Sequence, residues 1–545
     1  RRVSMHLVTC AVLALTLFAP SRDREAIALS GLGKHARKVT TTSPRAQQFF
    51  NQGLALLYAF NHDEADISFA AAAKADPGCA MAWWGRAMAQ GPHVNFPMVT
   101  PDQAQIAVES LAKARSLMGR TTAVEKALIR AASVRHAVPP EDRTALDRAY
   151  ANAMRQVWKQ FPRDADVGAL FAEAMMDLQP WNYWTRDGKP RPGTDEVNAT
   201  LARVLQIDPN HPLALHLTIH AWEASNTPER AERAADRLRD LQPGLGHMVH
   251  MPSHIDVRLG NWEKGVLANE KAILADEAYT RLRPDQGFYR LYMAHNYHML
   301  GFAAMMVGQR DKCIQAFDTM AARVPADFAR ENASFMDGYM TMPLEARVRF
   351  GMWDQVLQWP EFPDYLPLST ALRHAARAMA FSAKGMPEPA EFEQAAFLLA
   401  QQRVPKFFVV GQSSAEAVLA VARHLVAGEV LLAKGDKRRA IEALRLAVRA
   451  EDALNYDEPP DWILPTRHVL GVALLSAGRA AEAEKVYRED LKRLPRNGWA
   501  LYGLAEALQA QGKSADAGRA RAQFASVWKN ADLKITSSCL CVPKP

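Results

Sequence analysis

The stretch FNHDEADISFAAAAKADP spaces Ala65, Phe69 and Pro77 as A-x3-F…P. The same grammar returns in AGRAAEAEKVYREDLKRLP (Gly478, Ala483, Tyr487, Pro495) and in QGKSADAGRA (Gly512, Ala517). A small residue set one turn from a ring lets two short helices pack as a hairpin, with proline closing the unit. A lone hairpin of this kind cannot bury its apolar face, so successive units must stack on one another. That requirement constrains the fold more than any other feature of the chain.

Length and composition agree with a stacked array. The chain has 545 residues, 49% hydrophobic and 23% charged, which is globular in composition but too long for one compact core. Ala- and Leu-rich helical periodicity runs nearly end to end, and no alternating strand pattern persists. Net charge is +7, but Lys and Arg are scattered among Asp and Glu. Without a dense basic run no nucleic acid partner is expected. Neither a phosphate loop nor a dinucleotide fingerprint is present, so no nucleotide cofactor is expected.

Over most of residues 46–531 the pattern resembles the tetratricopeptide repeat family. The resemblance implies an all-α, right-handed superhelical solenoid of helix–turn–helix repeats with a concave groove. Indexing from the anchors starts units near 46, 80, 165, 212, 246, 294, 337, 371, 421, 464 and 498. Gly53, Gly260, Gly308, Gly435 and Gly471 are expected where paired helices approach closely. The Pro-rich insertions 181–197, 358–367 and 455–465 are either binding-face loops or plain connections.

The expected organisation is a signal peptide over 1–28, a linker over 29–45 and a solenoid with inserted loops over 46–403. C-terminal repeats over 404–531 and a tail over 532–545 complete it. Arg1 and Arg2 precede an apolar run from Leu7 to Ala19, and Ala26-Ile27-Ala28 offers a cleavage site. That pattern implies export to a periplasm or the exterior, and the run is too short to span a bilayer. Five cysteines give no disulfide framework. Cys10 falls within the signal, Cys79 and Cys313 read as core thiols, and Cys539-x-Cys541 is either a frayed end or a soft-metal or redox pair.

The histidines carry the functional expectation. In the resembled family, positions 2, 5, 9 and 12 of a unit's first helix face the groove, and at about 100° per residue they share an arc of roughly 80°. Three neighbouring units then place His216, His220, Glu223, His247, His250, His254, His295 and His298 there. Sixteen histidines in 545 residues would put only about 0.35 among those twelve positions by chance. Clustered imidazoles repel when protonated, so the neutral, metal-binding form is favoured. His216, His220, His250 and His254 form the first expected ligand set, and His247, His295 and His298 the second. Glu223 is a ligand, a support for an imidazole or a general base.

Imidazole-rich ligation favours copper or zinc, as one ion or two. Three imidazoles on each of two ions would match a coupled dicopper centre in ligand count. Pro252, among the histidines, either re-aims His250 against His254 or accommodates superhelix curvature. His62, His93 and His468 are expected to pack or make separate contacts. The chain thus reads as a metal-dependent protein of oxidative or hydrolytic type, with a small molecule or peptide in the groove. An interaction scaffold with a protein partner, or a metal sequestration or delivery protein, are the alternatives.

Overall fold

The computed structural model describes residues 24–139 and 142–541, so most of the expected signal segment lies outside the described residues. Among the described residues the architecture is all-α, apart from a two-residue antiparallel pair, Val409–Val410 with Ser413–Ser414. No helix among them is long and apolar enough to cross a membrane. They form two compact units, one of residues 24–255 and 268–296, the other of 256–267 and 297–541.

Within each unit the chain is a run of antiparallel helix hairpins. The first helices of these hairpins begin at Pro44, Ala80, Ala165, Pro212, Gly246, Arg290, Ala333, Pro367, Ala415, Thr466 and Gly498. Each start falls close to a unit start expected from the repeat grammar. One hairpin escaped that indexing: Ala123–Ala132 with Arg143–Gln160. It carries no A-x3-F…P signature, and its first helix is set instead by a capping box between Thr122 and Glu125.

The physical cause of the repeat grammar is visible at Phe69 and Tyr487. Phe69, on helix His62–Ala75, is fully buried between Gly53 of its own hairpin and Gly85 of the next. A methyl group on either glycine would meet the ring, at 2.8 Å from Gly53 and 2.3 Å from Gly85. Tyr487 repeats the arrangement in the other unit, where added methyls on Gly471 and Gly503 would both lie 2.2 Å from Cζ. The aromatic residue is thus a wedge that sets the spacing of two successive units, and only glycine makes room for it. Gly260, Gly308 and Gly435 act differently. Their φ angles of +73°, +74° and +81° place them in left-handed turns between helices, and at Gly260 and Gly308 an added methyl would also lie 2.3 Å from Pro495 and Trp528.

Pro252 begins a helix; it does not bend one. The histidine-rich stretch is two segments, Gly246–His250 and Pro252–Arg258, and proline at a first helical position forfeits no intrahelical bond. Pro343 sits in the same way in the first turn, as the second residue of Met342–Arg349 after Ala333–Met340, with no histidine close by in sequence. The break therefore belongs to the architecture.

Candidate metal centre

Helix Pro212–Trp222 carries His216 and His220 one turn apart, and Gly246–His250 and Pro252–Arg258 carry His247, His250 and His254. Burial is almost complete: His216 and His250 are 0% exposed, and His220, His247 and His254 are each 2%. The structure sorts the rings into two triads, His216/His220/His247 and His250/His254/His295, each with its ligand atoms within 4.8 Å of one another. This grouping differs from the expected one. Each i,i+4 pair captures a third ring from elsewhere, and the two pairs fall in separate groups.

In the first triad His216 Nε2 lies 3.1 Å from His220 Nε2 and 3.2 Å from His247 Nε2. In the second, His250 Nε2 is 2.9 Å from His254 Nε2, and the His295 ring centroid is 4.8 Å from that of His250. The opposite ring nitrogens decide what these short separations mean. His216 Nδ1 is 2.9 Å from the Tyr58 carbonyl and His250 Nδ1 is 2.6 Å from Asn269 Oδ1. His220 Nδ1 is 2.8 Å from Glu223 Oε1, and His254 Nδ1 is 2.9 Å from Glu223 Oε2.

Carbonyl, amide and carboxylate oxygens only accept, so Nδ1 of His216, His220 and His250 carries a proton, while His254 meets Glu223 as an ion-pair contact. In the neutral rings the Nε2 atoms are then lone pairs. His216 with His220, and His250 with His254, aim Nε2 at Nε2 at hydrogen-bond distance, an arrangement that one shared proton or a bridging cation satisfies. With metal–imidazole bonds of about 2.0–2.1 Å, separations of this size correspond to ligand–metal–ligand angles of roughly 90–105°.

Electrostatics favour the neutral form for three of the rings. Burial first, and then the neighbouring rings, hold His216, His247 and His250 well below the ordinary histidine range, so they stay neutral. Burial opposes ionisation of Glu223, but His254 and His220 outweigh it and bring the carboxyl down to about 2. Glu223 is fully buried and stands behind two imidazoles, one from each triad. The triads are adjacent: the rings of His247 and His250 lie 6.0 Å apart, and those of His220 and His254 lie 6.2 Å apart.

Residues remote in sequence build the walls. Tyr58 ends helix Pro44–Tyr58, where carbonyls lack intrahelical donors, and its oxygen takes the His216 proton. The Phe60 ring sits 4.4 Å from His216 and 4.4 Å from His93. Trp181, from the 181–197 insertion, meets His220 edge-on at 5.3 Å, and the Trp184 indole donates to the Ala221 carbonyl at 2.7 Å. That insertion therefore packs on a histidine helix. The His247 amide donates to the Tyr289 hydroxyl at 3.1 Å, which in turn donates to Asp276 Oδ1 at 3.3 Å. A methyl on Gly246 would lie 2.0 Å from that same carboxylate oxygen.

His298 is not part of either triad. It lies in the other unit, its ring 5.4 Å from Tyr339 and 6.2 Å from Phe317, and burial brings it down to about 3. Its i,i+3 offset from His295 turned it to an aromatic pocket. His62 and His93 stack edge-on at 4.5 Å. His468 bridges Arg349 at 2.8 Å and Asp490 at 3.0 Å, a contact separate from the triads.

Another group resembles a ligand set, yet it is closed. Asp166 Oδ1 is met by His35 Nε2 at 2.9 Å, His211 Nε2 at 3.1 Å and the Tyr58 hydroxyl at 2.7 Å, and Oδ2 by Arg37. His211 Nδ1 accepts from the Ala214 amide as a helix cap, so its Nε2 carries the proton and has no lone pair to offer.

No family model matches the chain, and no curated protein matches it significantly. Among solved structures, the human IFIT1 dimer with m7Gppp-AAAA is similar at 12% identity and a TM-score of 0.32, over 97% of this chain and 95% of that one. The APC/C hetero-tetramer Cut9-Hcn1 is similar at 13% identity and 0.30, over 89% and 74%. The Naa15/Naa10 complex bound to HypK-THB is similar at 12% and 0.23, over 89% and 70%. The chain's own helix order and packing make it an all-α, tetratricopeptide-like helical repeat protein.

Proposed function

We propose that this chain is a helical-repeat metalloprotein that carries a pair of transition-metal ions, one in each histidine triad, and that copper is the best match. The observation that carries the reading is the approach of Nε2 to Nε2 at 2.9–3.1 Å within each pair, with Nδ1 of His216, His220 and His250 tied to an oxygen behind it. Such a backing hydrogen bond fixes ring orientation and raises imidazole basicity, which is how ligating histidines are usually supported. An all-imidazole set suits copper or zinc, and three nitrogens per ion leave a coordination position open to an outside molecule. Two adjacent three-histidine sites fit oxidative chemistry better than a closed structural role. The bound ions would act as Lewis acids or electron acceptors, while the chain's residues hold and orient the imidazoles and exclude water.

Tag-free protein, stripped of metal and titrated with copper(II) or zinc(II), is expected to bind two equivalents, with histidine-type nitrogen scattering in X-ray absorption. Less than about 0.2 equivalents across copper, zinc, iron and nickel would overturn the reading.

A further inference from the structure

The unit of residues 256–267 and 297–541 holds a second ligand set that the histidine reading does not use. Segment Ser537–Cys541 is packed down, contrary to a frayed end. The Ser538 hydroxyl donates to the His468 carbonyl at 3.1 Å and so accepts from the Tyr487 hydroxyl at 2.6 Å. Leu540 abuts Gly351. Cys539 and Cys541 are 7% and 5% exposed and joined as a disulfide. Facing them is Glu429, from helix Ala415–Ala433, only 2% exposed. Its carboxylate and both sulfurs lie within 4.8 Å of one another. Glu429 Oε2 is buried and has no hydrogen-bond partner among the described residues. Burial pushes the Glu429 carboxyl up to about 8, so it holds a proton near neutral pH, and a cation seated between it and the two sulfurs would take that proton's place.

We infer that reduction of the Cys539–Cys541 disulfide opens a cation site formed by both thiolates and the Glu429 carboxylate, suited to a divalent d10 ion of the zinc class. A small-molecule dithiol supplies two electrons and two protons. The S–S bond breaks, two thiols form, and the reagent leaves as its cyclic disulfide. The ion then displaces both thiol protons and the Glu429 carboxyl proton to solvent. A hard oxygen donor beside two thiolates favours a borderline ion such as zinc over copper(I), which prefers sulfur alone.

Cadmium(II) alone is the probe, because only thiolate ligation gives its ultraviolet charge-transfer band. Full-length chain reduced with dithiothreitol and freed of reagent under anaerobic conditions is expected to gain the band at one equivalent, and the oxidised chain to lack it. Cys541→Ser should abolish the band. Glu429→Gln keeps both sulfurs and should weaken cadmium binding at least tenfold, with helix content unchanged by circular dichroism. His216→Ala and His250→Ala should leave the band intact, which separates this site from the histidine triads. No band in the reduced chain, a band surviving Cys541→Ser, or unchanged affinity in a folded Glu429→Gln variant would overturn the inference.

Discussion

Glu223 Oε2 lies 2.9 Å from His254 Nδ1 while its other oxygen holds His220 Nδ1 at 2.8 Å. One buried carboxylate thus orients a ring in each triad and places a negative charge behind both. Glu223→Gln keeps the shape but removes that charge and turns one acceptor into a donor facing an N–H. Both ions should weaken together, by about 10–100-fold. Competition titration against a chelator of known affinity checks this; weakening at one site alone would contradict a shared role.

The triads should lose their ions separately. His216→Ala removes a ligand of one set and His250→Ala a ligand of the other, so each variant should bind one equivalent where the parent binds two. The double variant should bind none. Mass-spectrometric metal counting with helix content as control reads the outcome, and a single substitution that releases both ions would show one shared site.

Acid should destabilise the metal-free protein before its surface carboxylates titrate. Burial, followed by Arg135, brings His62 down to about 3, and burial brings His298 to about 3. Both are neutral in the folded chain and protonated in the unfolded chain below their ordinary value near 6.5. Between pH 6.5 and 3 the unfolded state binds more protons, so stability rises with pH there and is lost as pH falls. Each such histidine contributes a slope of at most about 1.4 kcal/mol per pH unit. Above pH 7 these groups add no slope. Urea midpoints at pH 7.5, 6 and 4.5 test the window.

The wedge geometry predicts which glycines are intolerant. Gly85→Ala drives a methyl into the Phe69 ring and Gly503→Ala into Tyr487, and overpacking of this kind costs about 1–3 kcal/mol. Gly119→Ala, with nothing within 4 Å of the added methyl, is the control and should be neutral or slightly stabilising. Thermal melts distinguish them directly.

Local grammar made much of the fold legible. The A-x3-F…P pattern located hairpins because a ring such as Phe69 needs small partners at fixed offsets, and those offsets are written along the chain. Ala123–Ala132 and Arg143–Gln160 stayed hidden because a capping box, not a wedge, sets their start. Helical spacing found the histidine stripe, since i,i+4 rings share a face on any helix. It did not show how the rings divide, because His247 meets His216, and His295 meets His250, across separate segments. Nor did it find Tyr58, Asn269 or Trp181, which reach the rings only through tertiary packing and carry no local signature. The bond from His216 Nδ1–H to the Tyr58 carbonyl, which fixes the His216 tautomer, depends on a helix ending where it does.

Helical repeat arrays ordinarily come apart unit by unit, because each hairpin touches only its neighbours. Here the imidazoles of the two triads come from hairpins that begin at Pro212, Gly246 and Arg290. An ion in each triad would rivet the middle hairpin to the one before it and the one after it. Loading would therefore trade piecemeal fraying of this stretch for all-or-none melting, and the ions would govern cooperativity as well as chemistry.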